Sequence, residues 1–372
     1  MKTGPRPSMI IESPLSTRVA FNGRDCLNFT GTNYLNLAGD PGVQLAAMNA
    51  ITVFGVTTGA SRATTGTCPA HLQLEGRLRE FLGVERTFVC NSGSDANRIV
   101  MSALLSKGGT LVYDERAHPS IVNSVPRNAK LRPYKHNSVK SLSQILSGMY
   151  ARELTMAVVA VNGVDPITGS IAPLRGIHRV VSRHSEVHLL VDDAHGFLVL
   201  GGEGRGTAEY HRIESSQIIQ TGSFGKALGG YGGFIAGSEI ACGAMTDQAA
   251  YIGTTALPPP IAAACYAALN LADNGLGRVR RRNLIILTRD LVGNLQGMGL
   301  NVAGHGAPIL RIKGSHGLDI ENLHARLLQK RIATTLVRYP TPASELSLRI
   351  ALNAEHTYGE IKMLCDSIAS II

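Results

Sequence analysis

The sequence predicts an α/β protein: a large domain on a mainly parallel sheet sandwiched by helices, followed by a smaller C-terminal α+β domain. Three observations carry that prediction. Short β-branched runs at 86–91, 110–115, 156–162, 187–193 and 216–223 alternate with helical stretches such as 94–106 and 173–185. These runs are apolar on both faces, as strands covered by helices on either side must be. Beyond about residue 265 the rhythm changes. A long helix-like segment at 269–297 is followed by short strands in NVAGHG, APILRIKG and LSLRIALN, with helices near 318–330 and 356–370. The changes of pattern place an N-terminal arm over 1–40, the large domain over 41–268 and the small domain over 269–372.

The 372 residues are 44% hydrophobic and 17% charged, a balance that excludes an intrinsically disordered chain. Lys and Arg number 36 against 27 Asp and Glu, a net charge of +9. That excess favours anionic partners: nucleic acid, a phosphate cofactor or a nucleotide-bearing substrate. The six cysteines are scattered with no C-x-x-C pair, so neither a zinc knuckle nor a disulfide scaffold is written, and no metal site is expected. A reducing cytoplasm is the expected compartment. No run approaches the roughly 18 apolar residues of a membrane span, and the start has no signal-peptide core.

In a parallel sheet covered on both sides, functional groups gather at the carboxyl ends of the strands. The run at 187–193 ends in Asp192-Asp193-Ala194-His195. Two acids at the tip of a buried strand are costly, so they serve either chemistry or the capping of the next turn. The run at 216–223 leads into Thr221-Gly222-Ser223-Phe224-Gly225-Lys226-Ala227-Leu228-Gly229-Gly230, a lysine among glycines that invites a phosphate-loop reading. Spacing rejects it: such a loop needs Gly six residues before its Lys and Ser or Thr after it, where Gln220 and Ala227 stand. A basic nucleic-acid-binding ATPase therefore becomes a distant alternative.

A third element, Cys90-Asn91-Ser92-Gly93-Ser94-Asp95-Ala96-Asn97, carries a strand through a small polar turn into a helix. The helix amino end offers free N–H groups to an anion; ordinary capping by Ser92, Ser94 or Asp95 is the other reading. The fourth is His118, just past the run at 110–115, where a single histidine is more often structural than functional.

Taken in order, these elements resemble the active-site motifs of the α-oxoamine synthase family of fold type I pyridoxal-phosphate enzymes. The resemblance spans nearly the whole chain. It includes Asn33-Tyr34-Leu35, Ser61-Arg62, His71-Leu72-Gln73-Leu74-Glu75, Gly204-Arg205-Gly206, Thr255-Ala256-Leu257-Pro258-Pro259, Leu348-Arg349 and His356. It implies that Lys226 carries pyridoxal phosphate as a Schiff base, which requires burial and neighbours to lower its amine pKa. Asp192 would hold the pyridine nitrogen protonated, keeping the ring an electron sink. His195 would contact the ring hydroxyl and His118 would stack on the ring and assist proton transfer. The main-chain amides of Ser94 and Asp95, the Ser223 hydroxyl, and Thr255 from a second subunit would hold the phosphate, which implies a homodimer with shared active sites. Arg349 would clamp the amino-acid carboxylate through its two-donor fork, an ion pair being the alternative, and Asn33 would lie at the substrate. Arg62, His71 and Glu75 fall on family positions at the substrate or the dimer contact.

The implied reaction condenses a small α-amino acid with an acyl thioester, on coenzyme A or an acyl-carrier protein, to an α-amino ketone, usually with decarboxylation. Nucleic acid is not an expected partner. Another fold type I enzyme, an aminotransferase or aldolase-like lyase, would share Lys226 and Asp192 but use no thioester. Two stretches depart from the family. Pro166 stands where a serine hydroxyl meets the ring, with Asp165 or Thr168 as replacements, and Thr341-Pro342-Ala343-Ser344-Glu345-Leu346-Ser347 differs from the usual loop, Ser347 replacing an arginine.

Overall fold

The computed structural model of the protein describes residues 10–304, 306–314, 318–339 and 344–372. Its main sheet has seven strands, in the order Arg86–Cys90, Gly233–Gly237, Ile218–Ser223, His188–Asp192, Ala157–Asn162, Thr110–Asp114 and Lys130–Tyr134. Gly233–Gly237 is antiparallel to both neighbours and the other pairings are parallel. Alternation along the central strands feeds two separate cores. Val158, Ala160, Leu190 and Ile219 pack with Ile99, Val100 and Met101 of the helix Gly93–Leu105. Val159, Val161, Leu189 and Val191 pack on the other face with Leu142, Leu146, Ile177 and Val181 of the helices Val139–Ser147 and Leu174–Val181. Burial on both faces is why these strands read as continuous apolar runs.

Two strands of this sheet have no counterpart in the sequence reading. Lys130–Tyr134 (KLRPY) carries two cations and a proline, which an edge strand tolerates. Gly233–Gly237 (GFIAG) is short and glycine-bounded. Gly233 lies so close to the turn before the Gly93 helix that a Cβ there would meet the Ser92 carbonyl carbon at 2.4 Å. The long helix expected at 269–297 is corrected to two, Pro259–Ala272 and Gly275–Gly297. Asn274 makes the break, its side chain accepting from the amides of Leu276 at 2.9 Å and Gly277 at 3.2 Å.

The second sheet is antiparallel, with strands Val302–Ala303, Ile309–Lys313, Ser347–Ala351 and Thr335–Val337 in that order. Leu310, Ile312, Leu348 and Ile350 are fully buried in one core with Leu284, Leu291, Leu323 and Leu364 of the C-terminal helices. The opposite face of the same strands carries Arg311 and Arg349, which are direct cross-strand partners. A hairpin, Arg18–Phe21 and Arg24–Asn28, is extended by Ile332–Ala333, parallel to its second strand. The N-terminal segment is thereby tied to the C-terminal region. No helix among the described residues is long and apolar enough to cross a membrane.

Candidate active site

The His188–Asp192 and Ile218–Ser223 strands are parallel neighbours with Asp192 paired to Thr221, so Asp192–His195 and Ser223–Gly230 leave the sheet side by side. The Gly93 helix starts against the same edge: a Cβ on Gly93 would meet the Gly222 carbonyl oxygen and the Ser223 Cβ, each at 3.3 Å. A cradle results, walled by two strand ends and one helix amino terminus.

Lys226 lies in that cradle, half-buried. Burial lowers its ammonium below the ordinary value against the pull of Asp192, and Arg349 adds to the lowering. Asp192 is buried, and its two carboxylate oxygens accept from Asn97 Nδ2 at 2.8 Å and the Ala194 amide at 3.1 Å. The two acids divide their work. Asp193 turns away to accept from the Thr207 amide at 2.7 Å, the Thr207 hydroxyl at 2.6 Å and Gln220 Nε2 at 2.9 Å, and burial pushes it up to about 6. Asp193 is thus committed to the Thr207 turn, while Asp192, held by Asn97 and the Ala194 amide, lies within electrostatic range of Lys226.

His195 is buried with Nδ1 2.8 Å from the Tyr34 hydroxyl. Burial, with Lys226, Arg349 and His118 nearby, drives its imidazolium well below the usual range, so the ring is neutral. His118 caps the short helix Pro119–Val122. Its amide donates to Asn162 Oδ1 at 2.9 Å, and its Nδ1 accepts from the Ser120 amide at 3.1 Å and lies 2.7 Å from Ser120 Oγ. An accepting Nδ1 fixes the neutral ring as the Nε2–H tautomer. Burial lowers this histidine as well, opposed by Asp192.

Asn97 joins these groups. Its Nδ2 donates to Asp192 and, at 2.9 Å, to Ser120 Oγ, while its Oδ1 accepts from the Thr221 hydroxyl at 2.7 Å. The sequence places Asn97 and Tyr34 within motifs but gives neither a role of its own. The available signal for Asn97 was a lone amide on the inward face of a helix otherwise lined by Ala96, Ile99 and Val100.

Of the residues expected around a phosphate, Ser94 is exposed in the first turn of its helix, where amides have no preceding helical carbonyl. The Asp95 amide donates to Ser92 Oγ at 2.9 Å, so Ser92 is the helix cap. Ser223 Oγ accepts from the Gly225 amide at 3.3 Å. Thr255 is exposed, and its carbonyl accepts from Asn91 Nδ2 at 2.8 Å.

Arg349 is buried, its Nε donating to the Pro166 carbonyl at 3.0 Å and Nη1 to the Gly31 carbonyl at 3.3 Å. Asn33 is committed elsewhere. Its Nδ2 donates to the Leu15 carbonyl at 2.9 Å and its Oδ1 accepts from the amides of Leu37 and Ala38, which makes it the tie of the N-terminal segment. In place of Pro166, Thr168 is tied into its own turn, while Asp165 Oδ2 is buried beside Arg116 with no hydrogen bond among the described residues. Asp165 Oδ1 accepts from the amides of Ile167 and Thr168 while Oδ2 pairs with Arg116 at 3.0 Å, and Thr168 Oγ1 lies 2.9 Å from Ser170 Oγ. Arg62 and Glu75 form a two-pronged pair at 2.9 Å for each prong, and His71 Nε2 lies 2.5 Å from the Leu257 carbonyl. Of the divergent loop before Arg349, Thr341, Pro342 and Ala343 lie outside the described residues.

Residues 24–368 match the family of aminotransferase class I and II. The chain belongs to that family. Among aminotransferase class I and II relatives, it is 34% identical to the 8-amino-7-oxononanoate synthase of Methylococcus capsulatus, over 98% of this chain and 93% of that one. Among solved structures it superposes on the serine palmitoyltransferase of Sphingomonas wittichii with a TM-score of 0.91 at 28% identity, covering 98% of this chain and 92% of that one. A serine palmitoyltransferase solved with pyridoxal phosphate gives the same TM-score, 0.91, at 28% identity and the same coverage.

Proposed function

We propose that the protein is a pyridoxal-phosphate-dependent α-oxoamine synthase, a C-acyltransferase that joins a small α-amino acid to an acyl thioester and releases an α-amino ketone, usually with loss of the carboxylate. The observation that supports it most is the meeting of Lys226 and Asp192 at adjacent strand ends, with Asp192 held from behind by Asn97. The named relatives, both α-oxoamine synthases, support the same reaction class.

The residues fit the cofactor. The cradle at Gly93 is tight, a Cβ there meeting Gly222 and Ser223 at 3.3 Å, and Asp192, with one donor on each oxygen among the described residues, keeps acceptor capacity for a protonated ring nitrogen. When bound, pyridoxal phosphate supplies an aldehyde for amines and an electron-accepting ring. Lys226, whose ammonium burial lowers from its ordinary value, would hold that aldehyde and would serve as the base at the substrate α-carbon. The Ser94 amide at the helix start, with the Ser223 hydroxyl, would hold the phosphate; the Asp95 amide, expected beside it, donates instead to Ser92 Oγ. His118, fixed by Ser120, would lie against the ring, and His195, steadied by Tyr34, would meet the ring hydroxyl. The uncommitted part of the Arg349 fork takes the α-carboxylate.

The working unit is a homodimer. Leu45, Met48, Val53, Val56 and Leu72 are exposed on and after the helices Pro41–Phe54 and Pro69–Leu82, an apolar surface that a second copy would cover. Thr255, also exposed, then reaches the partner's phosphate. The acyl donor is carried on coenzyme A or a carrier protein, whose anionic character suits the net charge of +9, and six unpaired cysteines suit a reducing cytoplasm.

The test is to incubate the purified holoenzyme with glycine, alanine or serine and an acyl-CoA of defined length. Free thiol should appear in step with the mass of the amino ketone. Conversion of the amino acid with a keto acid and no thioester would assign aminotransfer instead.

A further inference from the structure

The N-terminal stretch 31–34 touches the active site along its length. The Gly31 carbonyl accepts from Arg349 Nη1 at 3.3 Å, the Thr32 hydroxyl donates at 3.3 Å to the carbonyl of Gly225, next to Lys226, and the Tyr34 hydroxyl lies 2.8 Å from His195 Nδ1. Tyr34 is fixed from every side. Its ring is fully buried in the core, its amide donates to the Thr32 carbonyl at 2.8 Å, and its carbonyl accepts from the Ala354 amide at 2.8 Å. A close-packed ring held in this way keeps its hydroxyl on the imidazole.

The proton of that hydroxyl has one destination. Burial pushes the phenol up to about 12, with Arg349 pulling the other way, so the hydroxyl keeps its proton at neutral pH. A guanidinium only donates, so Arg349 cannot take that proton. Among the described residues the acceptor within reach is His195 Nδ1. The reverse arrangement, Nδ1–H donating to the phenol oxygen, would leave the phenol proton buried without an acceptor, which is costly. His195 is itself neutral, because burial and then the charges of Lys226, Arg349 and His118 oppose its protonation. A neutral imidazole that accepts on Nδ1 carries its proton on Nε2, and the His195 Nε2 has no partner among the described residues.

We propose that Tyr34 is a positioning residue that fixes His195 as the Nε2–H tautomer, so that the imidazole presents a donor, and not a lone pair, to the ring oxygen of the cofactor. Tyr34 has no exposed surface of its own and acts through His195. The inference rests on the reading of His195 as the residue that meets the ring oxygen. A donor there draws off negative charge that otherwise stabilises the protonated nitrogen joining lysine to cofactor, so it lowers the pH at which that nitrogen loses its proton.

The first measurement needs no substitution at Tyr34. Two-bond proton–nitrogen correlation spectra of holoenzyme labelled with nitrogen-15 histidine, with the His195 signals assigned from His195→Asn, should show a neutral His195 ring protonated on Nε2. The second is a pH titration of the visible absorbance of the bound cofactor. Tyr34→Phe should raise its midpoint by about one unit, and should leave it unmoved in a His195→Asn background, where no imidazole remains to be positioned. A merely structural Tyr34 would lower the yield of folded protein without moving the midpoint. If Tyr34→Phe does not fold, the wild-type tautomer decides the matter. A wild-type His195 protonated on Nδ1 overturns the proposal, as does an unmoved midpoint in Tyr34→Phe or an equal shift in the His195→Asn background. A protein that takes up no borohydride-trappable cofactor sinks the proposed function and this inference with it; bound cofactor beside an Nδ1-protonated His195 sinks this inference alone.

Discussion

The side-chain amide of Asn97 donates to Oδ2 of Asp192 across 2.8 Å, from a helix on one face of the sheet to the tip of a central strand. The same amide reaches Ser120 Oγ, which lies 2.7 Å from His118 Nδ1. One residue therefore sets the position of the acid and, through Ser120, of the histidine. Asp192→Asn keeps a side chain of the same shape, and the holoenzyme should keep its cofactor while losing at least about a hundredfold in kcat, because the carboxylate acts mainly in the transition state. Asn97→Ala leaves Asp192 in place with one donor fewer. It should lower kcat by roughly tenfold and stability by about 1–3 kcal/mol, the cost of stranding buried partners such as the Thr221 hydroxyl. Steady-state kinetics and urea titration of both variants measure this; unchanged turnover in Asp192→Asn would remove the acid from the chemistry.

Lys226→Ala should fold, since the side chain occupies a glycine-lined turn and makes no hydrogen bond among the described residues; the turn is closed by the main-chain bond from the Gly229 amide to the Lys226 carbonyl at 2.9 Å. The variant should lack the visible absorbance of bound cofactor and yield no borohydride-stable adduct. Peptide mapping after borohydride treatment of wild type should find the label on Lys226 and nowhere else.

What was legible in the sequence follows from where charge is costly. Asp192 and Lys226 stand out because each interrupts the end of a buried apolar run, and the helix at Gly93 announces itself by its small polar turn. Asn97 did not, because a neutral amide in a helix resembles any surface residue until the strand beneath it is known. Nor did Tyr34, which meets His195 across 161 positions of chain. Pro166 read as the loss of a hydroxyl, yet its contribution is a main-chain carbonyl that holds Arg349, a role residue type cannot reveal. The resemblance puts Asn33 at the substrate, but its Oδ1 closes the turn to Leu37 and Ala38 while its Nδ2 holds the Leu15 carbonyl of the N-terminal segment.

Arg349 separates amino-acid chemistry from other uses of the same cradle. Arg349→Ala should weaken binding of alanine and serine, read from the cofactor spectrum, by roughly 2–5 kcal/mol, the range for removing one partner of a buried charge pair. A simple amine of matched size lacks the carboxylate and should bind variant and wild type about equally. Arg349→Lys should recover part of the loss, since an ammonium cannot offer two parallel donors. Equal losses for amine and amino acid would make Arg349 a strut between the Pro166 and Gly31 carbonyls.

His356 should make the fold sensitive to acid. Its Nε2 lies 3.1 Å from the Asn28 carbonyl, its Nδ1 accepts from the Asn353 amide at 3.0 Å, and its ring stacks on Phe29 at 4.4 Å. Only the neutral Nε2–H tautomer satisfies both contacts, because a proton on Nδ1 would face the amide hydrogen. Burial accordingly lowers its pKa from the ordinary 6.5 to about 4. The unfolded chain takes up a proton near the ordinary value while the folded chain refuses it, so between those limits the unfolded state binds more protons and stability falls as pH falls. The contribution is fully present above about pH 6.5 and lost by about pH 4, a change of roughly 3 kcal/mol. His356→Gln can mimic both hydrogen bonds without titrating; it should be less stable than wild type at pH 7.5 yet lose less on going to pH 5. Urea unfolding of both proteins at the two pH values gives the double difference, in which other buried histidines such as His71 and His195 cancel. Identical losses in wild type and variant would show that His356 is not the group that titrates.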